Sequence, residues 1–261
     1  GIIITTRGNL IMEKRIDKIR HKVETEGEVF VTELSELYDV TEETIRRDLE
    51  KLKNEGVVTR TFGGAVLNTV NHKDHIHFFK RKSINIEEKR KIASMAVKAM
   101  PEMRTLMADN STTVMEAMKL LKNKNNITTI TFSAQIFQEL DGAEMRVIST
   151  GGRYDEDTLS FQGNLAIDSI SKYYVDVVFL SCKGLSFESG LMDSTEGEAI
   201  LKSEMAKRAN TVVLLADHTK FDQTAFVNFL SIDKLDYLIT DMKPDDKWVD
   251  YCSENDIKLI Y

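Results

Sequence analysis

Five consecutive residues, Asp109-Asn110-Ser111-Thr112-Thr113, carry a carboxylate, an amide and three hydroxyls. They follow an apolar stretch and open an amphipathic one. A strand end that leads into a helix leaves backbone N–H groups unpaired, and the helix dipole adds positive potential, so this segment suits a phosphate. Asp109 is placed to accept hydrogen bonds from sugar hydroxyls. The plain alternative is an ordinary helix N-cap. Three other segments bear on the choice. Gly151-Gly152-Arg153 combines a glycine pair, which permits close backbone approach, with a cation. Lys183-Gly184 follows another apolar run, and Asp217-His218-Thr219-Lys220 a third. Each cation alone is an ordinary surface residue. Gathered at one edge of a sheet, Arg153, Lys183 and Lys220 make an anion pocket.

A second constellation lies nearer the start. In TEETIRRDLEKLKNEG, Ile45, Leu49 and Leu52 form an apolar stripe at helical spacing. Thr44, Arg46, Arg47 and Lys51 are left on the other faces. An arginine can bond a guanine edge bidentately or clamp a phosphate, and a helix fits the major groove of DNA. Thr41 and Thr44, near the helix start, are in reach of phosphates or bases. Arg60 lies on a hairpin that would flank such a helix as a wing. The alternative is a solvated surface in which Arg46 and Arg47 pair with Glu42, Glu43 or Glu50. The formal net charge is -7, and residues 11–62 hold more Asp and Glu than Lys and Arg. Any DNA binding must therefore rest on a few placed cations rather than on a basic domain.

The elements that must position these residues are legible. Ile16, Ile19 and Val23 define a helix over Glu13–Glu24, which Gly27 stops. Val29-Phe30-Val31 reads as a short strand. Thr32 caps a second helix with Leu34 and Leu37 on one face, Asp39-Val40 is the joint, and Thr41 caps the third helix, which Gly56 ends. Val57–Phe62 is a strand, Gly63-Gly64 a turn and Ala65–Leu67 a return strand. Residues 1–11 are set aside as a tail. Residues 12–67 form a helix-turn-helix with a hairpin, 68–85 a linker, and 86–261 an α/β domain. After a helix that ends near Pro101, strands are expected at Thr105–Ala108, Ile127–Thr131, Met145–Ser149, Val175–Ser181, Thr211–Ala216, Tyr237–Thr240 and Ile257–Ile260. Helices are expected at Thr113–Leu121, Ala134–Leu140, Asn164–Tyr173, Glu196–Arg208 and Asp246–Asn255. This alternation implies a mostly parallel sheet with helices on both faces. Ligands of such sheets bind at the carboxyl edge.

The segment TEETIRRDLEKLKNEGVVTRTFGGA closely resembles the N-terminal signature of the DeoR family of bacterial transcriptional regulators, with its TIRRDL-type recognition helix and GGA hairpin. The resemblance runs over residues 12–261. It implies a winged helix-turn-helix followed by a sensor domain similar to ribose-5-phosphate isomerase, with phosphorylated sugars or their derivatives as usual effectors. The family's D-x-G-T-T loop falls on Asp109 to Thr113, with Ser111 in place of glycine. Its T-N-S falls on Thr131-Phe132-Ser133, with Phe132 for asparagine. Its G-G turn matches Gly151 and Gly152, its D-x-S-K-F matches Asp217 to Phe221 with Thr219 for serine, and its I-T-D matches Ile239-Thr240-Asp241.

The resemblance thus implies a repressor of a carbohydrate-utilisation operon, acting as a homodimer or homotetramer on double-stranded operator DNA in the cytoplasm and controlled by a sugar phosphate. No catalytic residue, metal or cofactor is assigned. The competing expectation is an aldose–ketose sugar-phosphate isomerase with an accessory domain, built on Asp109, Lys183, Asp193 and Glu196. A third is a protein-interaction module, which would show no salt-dependent DNA affinity. His72, His75 and His77 are read as polar linker rather than a metal site. Met95, Met100, Met103 and Met107 are read as core packing, and Trp248 as packing. Cys182 and Cys252 lie far apart and are read as free thiols. No apolar run of about 18 residues exists to span a membrane.

Overall fold

The computed structural model describes residues 15–26, 28–55, 57–61, 63–67, 81–82 and 84–261. The tail at 1–11, the three histidines of the linker, Gly27 and Gly56 lie outside the described residues. Contacts divide the chain into two compact units, residues 1–72 and 73–261.

In the first unit, α1 (Arg15–Glu26), β1 (Glu28–Phe30), α2 (Val31–Tyr38), α3 (Glu42–Asn54), β2 (Val58–Arg60) and β3 (Gly64–Leu67) follow in order. Ile19, Val23, Leu34, Ile45, Leu49 and Leu52 are fully buried and form its core. Two details differ from the sequence reading. The second helix starts at Val31 with Phe30 at its N-cap, so Thr32 caps nothing. Leu34 is buried, but Leu37 is exposed. Asp39 takes the left-handed conformation (φ 51°) and turns the chain between α2 and α3. The strands form one antiparallel sheet in the order β1-β3-β2. Gly64 stands opposite Phe30, and a Cβ there would lie 2.0 Å from the Val29 carbonyl oxygen. Gly64→Ala is accordingly expected to push β1 off β3, costing about 2 kcal/mol or more of this unit's stability. Urea denaturation followed by far-UV circular dichroism reads it. An unchanged midpoint would refute the close-approach role.

In the second unit, α4 (Ile86–Ala99) precedes β4 (Thr105–Ala108), α5 (Thr112–Leu121), β5 (Thr128–Thr131), α6 (Ala134–Glu139) and β6 (Arg146–Ser149). Next come a hairpin of β7 (Arg153–Asp155) and β8 (Ser160–Gln162), then α7 (Asn164–Ser171) and β9 (Val175–Leu180). Beyond these lie β10 (Gly184–Ser186), β11 (Gly190–Asp193), α8 (Glu196–Lys207), β12 (Ala209–Leu215) and β13 (Val227–Leu230). The chain closes with β14 (Tyr237–Ile239), α9 (Asp246–Glu254) and β15 (Lys258–Ile260). Seven strands form one sheet in the order β15-β14-β12-β9-β4-β5-β6, every pair parallel.

Alternation along the strands splits the apolar residues between two cores. Val178, Leu180, Val212 and Leu214 join the core that also holds Trp248. Val177, Phe179, Val213 and Leu215 face the other, with Met100, Met103 and Met115. This period of two makes near-continuous apolar strands with helices on both faces. Trp248 is fully buried and stacks on Phe187 at 4.1 Å. The short antiparallel strands β7, β8, β10, β11 and β13 were not anticipated.

The chain enters the sheet at β4, moves outward through β5 and β6, then returns to the other side of β4 with β9. The order reverses between β4 and β9, and a crevice opens beyond the carboxyl ends of these two strands.

Candidate functional site

A cavity of about 430 Å³ occupies that crevice. Ser111, Thr112 and Thr113 line it from the start of α5, Ser181, Cys182 and Lys183 from the end of β9, and Asp217, Thr219 and Lys220 from the turn after β12. Sequence positions more than a hundred residues apart thus converge because all three segments leave neighbouring parallel strands at the same edge.

The α5 terminus answers the first question posed by the sequence. Ser111 is the N-cap, and its hydroxyl accepts from the Val114 N–H at 3.2 Å. The serine in place of the family's glycine therefore serves the helix. Among the described residues the N–H groups of Thr112 and Thr113 donate to no protein acceptor. They stand at the positive end of a ten-residue helix. The ordinary cap and the anion site coexist here.

Asp109 does not face the cavity as a free acceptor. It is fully buried, accepts from the backbone N–H groups of Ser111 and Ser181 at 2.8 Å each, and lies 3.1 Å from Lys202. Lys202, also buried, reaches Asp193 at 2.5 Å and donates to the Ser181 carbonyl at 2.9 Å. Burial acts to strip the Lys202 proton, but Asp109, Asp193 and Glu198 overcome it and hold its pKa above the ordinary lysine range. Burial likewise works against the Asp193 carboxylate, and Lys202 outweighs it and holds that carboxyl low. Asn110 is buried, bonded to Glu198 and to the Thr158 carbonyl. Lys202 and Glu198 had no motif to mark them; they sit in a helix whose sequence reads as an amphipathic surface.

The other predicted residues divide. Lys183 and Lys220 line the cavity. Burial first, and then the neighbouring Arg81 cation, pushes the Lys183 ammonium down to about 7. Asp217 N-caps the turn over His218–Lys220 and pairs with Lys220 at 3.2 Å. Burial opposes its ionisation, yet Lys220 and Thr219 hold its carboxyl below the usual range. Asp241 accepts from the His218 backbone at 2.7 Å and its ring at 2.8 Å, which fixes that turn. Gly151, Gly152 and Arg153 are not among the lining residues. Gly152 (φ 120°) is needed elsewhere: a Cβ there would lie 2.6 Å from the Gln162 carbonyl oxygen, so it seats the β7–β8 hairpin. Arg153 is exposed on β7. Phe132 is fully buried in the core, and Ser133 caps α6. Glu196 is exposed at the start of α8, away from the cavity lining.

Five cations (Arg81, Lys89, Lys183, Lys202, Lys220) and three carboxylates (Asp193, Glu198, Asp217) line the cavity, and with Asp109 on Lys202 behind them the formal excess is one positive charge. That excess suits an anion. The carboxylates an isomerase would need are engaged: Asp109 and Asp193 share Lys202. No group of metal-binding side chains occurs among the described residues.

On α3, Thr41 is the N-cap, accepting from the Thr44 N–H at 3.3 Å. Arg46 pairs with Glu42 at 2.6 Å and Arg47 with Glu43 at 3.4 Å, and both arginines and Lys51 are exposed. The solvated pairing weighed against DNA reading is thus present, but exposed i,i+4 pairs contribute only about 0.3–0.5 kcal/mol and exchange readily for a phosphate. Arg60 points back rather than outward. Its guanidinium donates to the Arg46 carbonyl at 3.1 Å and the Gly64 carbonyl at 3.2 Å, bracing the hairpin on α3.

The profile described as the DeoR-like helix-turn-helix domain matches residues 15–71, and that of the DeoR C terminal sensor domain matches residues 84–242. The chain belongs to the DeoR family. As a DeoR-family member it is a DNA-binding transcriptional regulator with a small-molecule sensor domain, not an enzyme. An uncharacterized HTH-type transcriptional regulator of Bacillus subtilis, YulB, is 38% identical to this DeoR-family chain over 96% of each. The glycerol-3-phosphate regulon repressor of Escherichia coli is 30% identical over 94% of this chain and 97% of its own length. Among solved structures, ribose 5-phosphate isomerase A from Methanocaldococcus jannaschii overlaps 52% of the DeoR-family chain and 55% of its own, at 17% identity and a TM-score of 0.40. Among the described residues no helix is long and apolar enough to cross a membrane.

Proposed function

We propose that this regulator represses a carbohydrate-utilisation operon and is released by a phosphorylated sugar or polyol bound in the cavity between β4 and β9. The observation that carries the reading is the gathering of Lys183 and Lys220 around a helix N-terminus whose first N–H groups have no protein partner among the described residues. In this arrangement the Thr112 and Thr113 amides, Lys183 and Lys220 take the phosphate. Ser181, Thr219 and Gln223, also on the cavity wall, offer partners for hydroxyls. The Arg46, Arg47, Lys51, Thr41 and Thr44 side chains meet operator DNA, and a homodimer or homotetramer in the cytoplasm presents two reading helices to paired half-sites. A relative named as a glycerol-3-phosphate regulon repressor supports both the sign of control and a phosphorylated ligand.

A thermal-shift screen of phosphorylated pentoses, hexoses, amino sugars and polyols tests this. One compound at about 100 times its dissociation constant stabilises the protein by about 2.7 kcal/mol, and its unphosphorylated parent does not. Lys220→Ala weakens that compound on the order of tenfold by removing one charge-assisted hydrogen bond, and leaves operator affinity without ligand unchanged. A flat screen, or equal response to phosphorylated and unphosphorylated sugars, overturns the reading.

A further inference from the structure

Helix α8 has two opposed sides. Glu198 and Lys202 look into the cavity described above. A helix advances about 100° per residue, so Glu196, Ile200, Ser203 and Lys207 fall together on the side away from it. That outer side borders a groove of about 410 Å³, whose other walls are α7 at Ile167 and β13 at Val227, Asn228 and Phe229. Along α8 the groove is apolar in the middle, at Ala199 and Ile200, and charged at its ends, at Glu196 and at Glu204 and Lys207. An apolar centre with a polar rim is the anatomy of a protein interface.

Two further observations concern the same face. Ile200 is 44% exposed, and Phe226, next to Val227 of the groove wall, is 74% exposed. Strand β13 is an edge strand: it pairs with β11 on one side, and among the described residues no strand pairs with the other. Edge strands are ordinarily guarded by a charge or a proline. From Thr224 to Leu230 there is neither.

The charges identify what covers this face. A two-fold axis that crosses α8 midway between Ile200 and Ser203 lays the helix antiparallel on its own copy. Ile200 then faces the partner's Ser203, and Glu196 faces the partner's Lys207, each contact occurring twice. The small serine leaves room for the isoleucine. Opposite charges meet at both ends, about 16 Å apart along the helix at 1.5 Å per residue. A parallel arrangement would set Glu196 against Glu196 and Lys207 against Lys207. Within one chain Lys207 meets Glu204 at 3.4 Å, an exposed pair, and Glu196 forms no ion pair among the described residues.

We infer that the outer side of α8 is a two-fold contact between two copies of this chain, with Ile200 at its centre and with Phe226 and the β13 edge covered at its margin. This deepens the oligomer of the reading above and places it on the sensor unit. One helix then carries the cavity on one side and the second copy on the other.

Sedimentation equilibrium of the full chain at micromolar concentration tests this, with circular dichroism to follow folding. Ile200→Glu sets two carboxylates beside the axis, weakens association on the order of a hundredfold and halves the mass. Glu196→Lys or Lys207→Glu alone puts like charges across both ends and weakens association on the order of tenfold. The two reversals together restore it to within about threefold of wild type, as charges that truly face each other require. An unchanged mass in Ile200→Glu, or a double reversal weaker than either single one, overturns this inference alone. A wild type that sediments as a monomer overturns the oligomer and this inference together. The phosphorylated ligand is read separately, by the thermal-shift screen.

Discussion

Arg46→Ala and Arg47→Ala each weaken operator binding by about 5- to 150-fold, the range that a lost bidentate base or phosphate contact of about 1–3 kcal/mol covers. The two together remove specific binding altogether. The present partners of these arginines, Glu42 and Glu43, are one helical turn away on an exposed face. Such pairs are screened and weak, so they do not compete with a duplex that carries one charge per ~1.7 Å. Ligand-induced thermal stabilisation stays at its wild-type value in both variants, since neither residue belongs to the sensor unit. The dependence of affinity on salt flattens by about one counterion for each arginine that meets a phosphate and stays unchanged for one that reads a base. Electrophoretic mobility shift at several salt concentrations separates these cases. Wild-type affinity in both single variants would remove α3 as the reading helix.

Lys202→Met carries the largest expected cost to stability. It leaves Asp109 and Asp193 buried without their shared cation, which costs about 3–5 kcal/mol. In a unit of this size that lowers the melting temperature by on the order of 10 °C. The pH dependence gives the effect its signature. In wild type the Asp193 carboxyl is held below its ordinary value, so its contribution is present above the unfolded pKa and lost as pH falls through the folded one. Without Lys202, burial dominates and raises the Asp193 carboxyl above its unfolded value. Its penalty is then present at neutral pH and is relieved as the pH falls toward about 4–5. The variant therefore closes part of the gap to wild type on mild acidification. A constant gap between pH 7 and pH 5, measured by calorimetry, would show that Lys202 is not what holds the Asp193 carboxyl low.

What was legible in the chain follows from where burial leaves a mark. All seven strands of the parallel sheet were found because strands covered on both faces read as largely apolar or β-branched runs, such as Val177–Leu180. The short strands β10, β11 and β13 were missed because they hold glycine, serine and asparagine and only three or four residues each. The loop at Asp109–Thr113 was recognised, but the direction of Asp109 was not. A carboxylate at a strand end looks the same in sequence whether it meets a ligand or a lysine 93 residues later. Lys202 escaped for the matching reason: a lysine in an amphipathic helix is ordinarily solvated, and only the fold reveals that this one is buried. Arg81 fell in a polar stretch with no periodicity. In the first unit, Thr32 looked like a cap because threonine often is one, but the helix opens a residue earlier on Val31. Arg60 was correctly placed on the hairpin, yet its reach back to α3 depends on a turn that only the folded backbone defines.

The reversal of strand order between β4 and β9 has a consequence for the history of such proteins. On the cavity wall, Ser111, Ser181, Lys183 and Thr219 lie just past the last paired positions of the parallel sheet, Ala108, Leu180 and Leu215, where none of its ladder hydrogen bonds depends on them. A lineage can exchange Ser111, Lys183 or Thr219 for other side chains and leave the sheet intact. Descendants of one ancestor can thus diverge in the metabolite they answer to while inheriting the same frame. The seam in the sheet is where that divergence has room to occur.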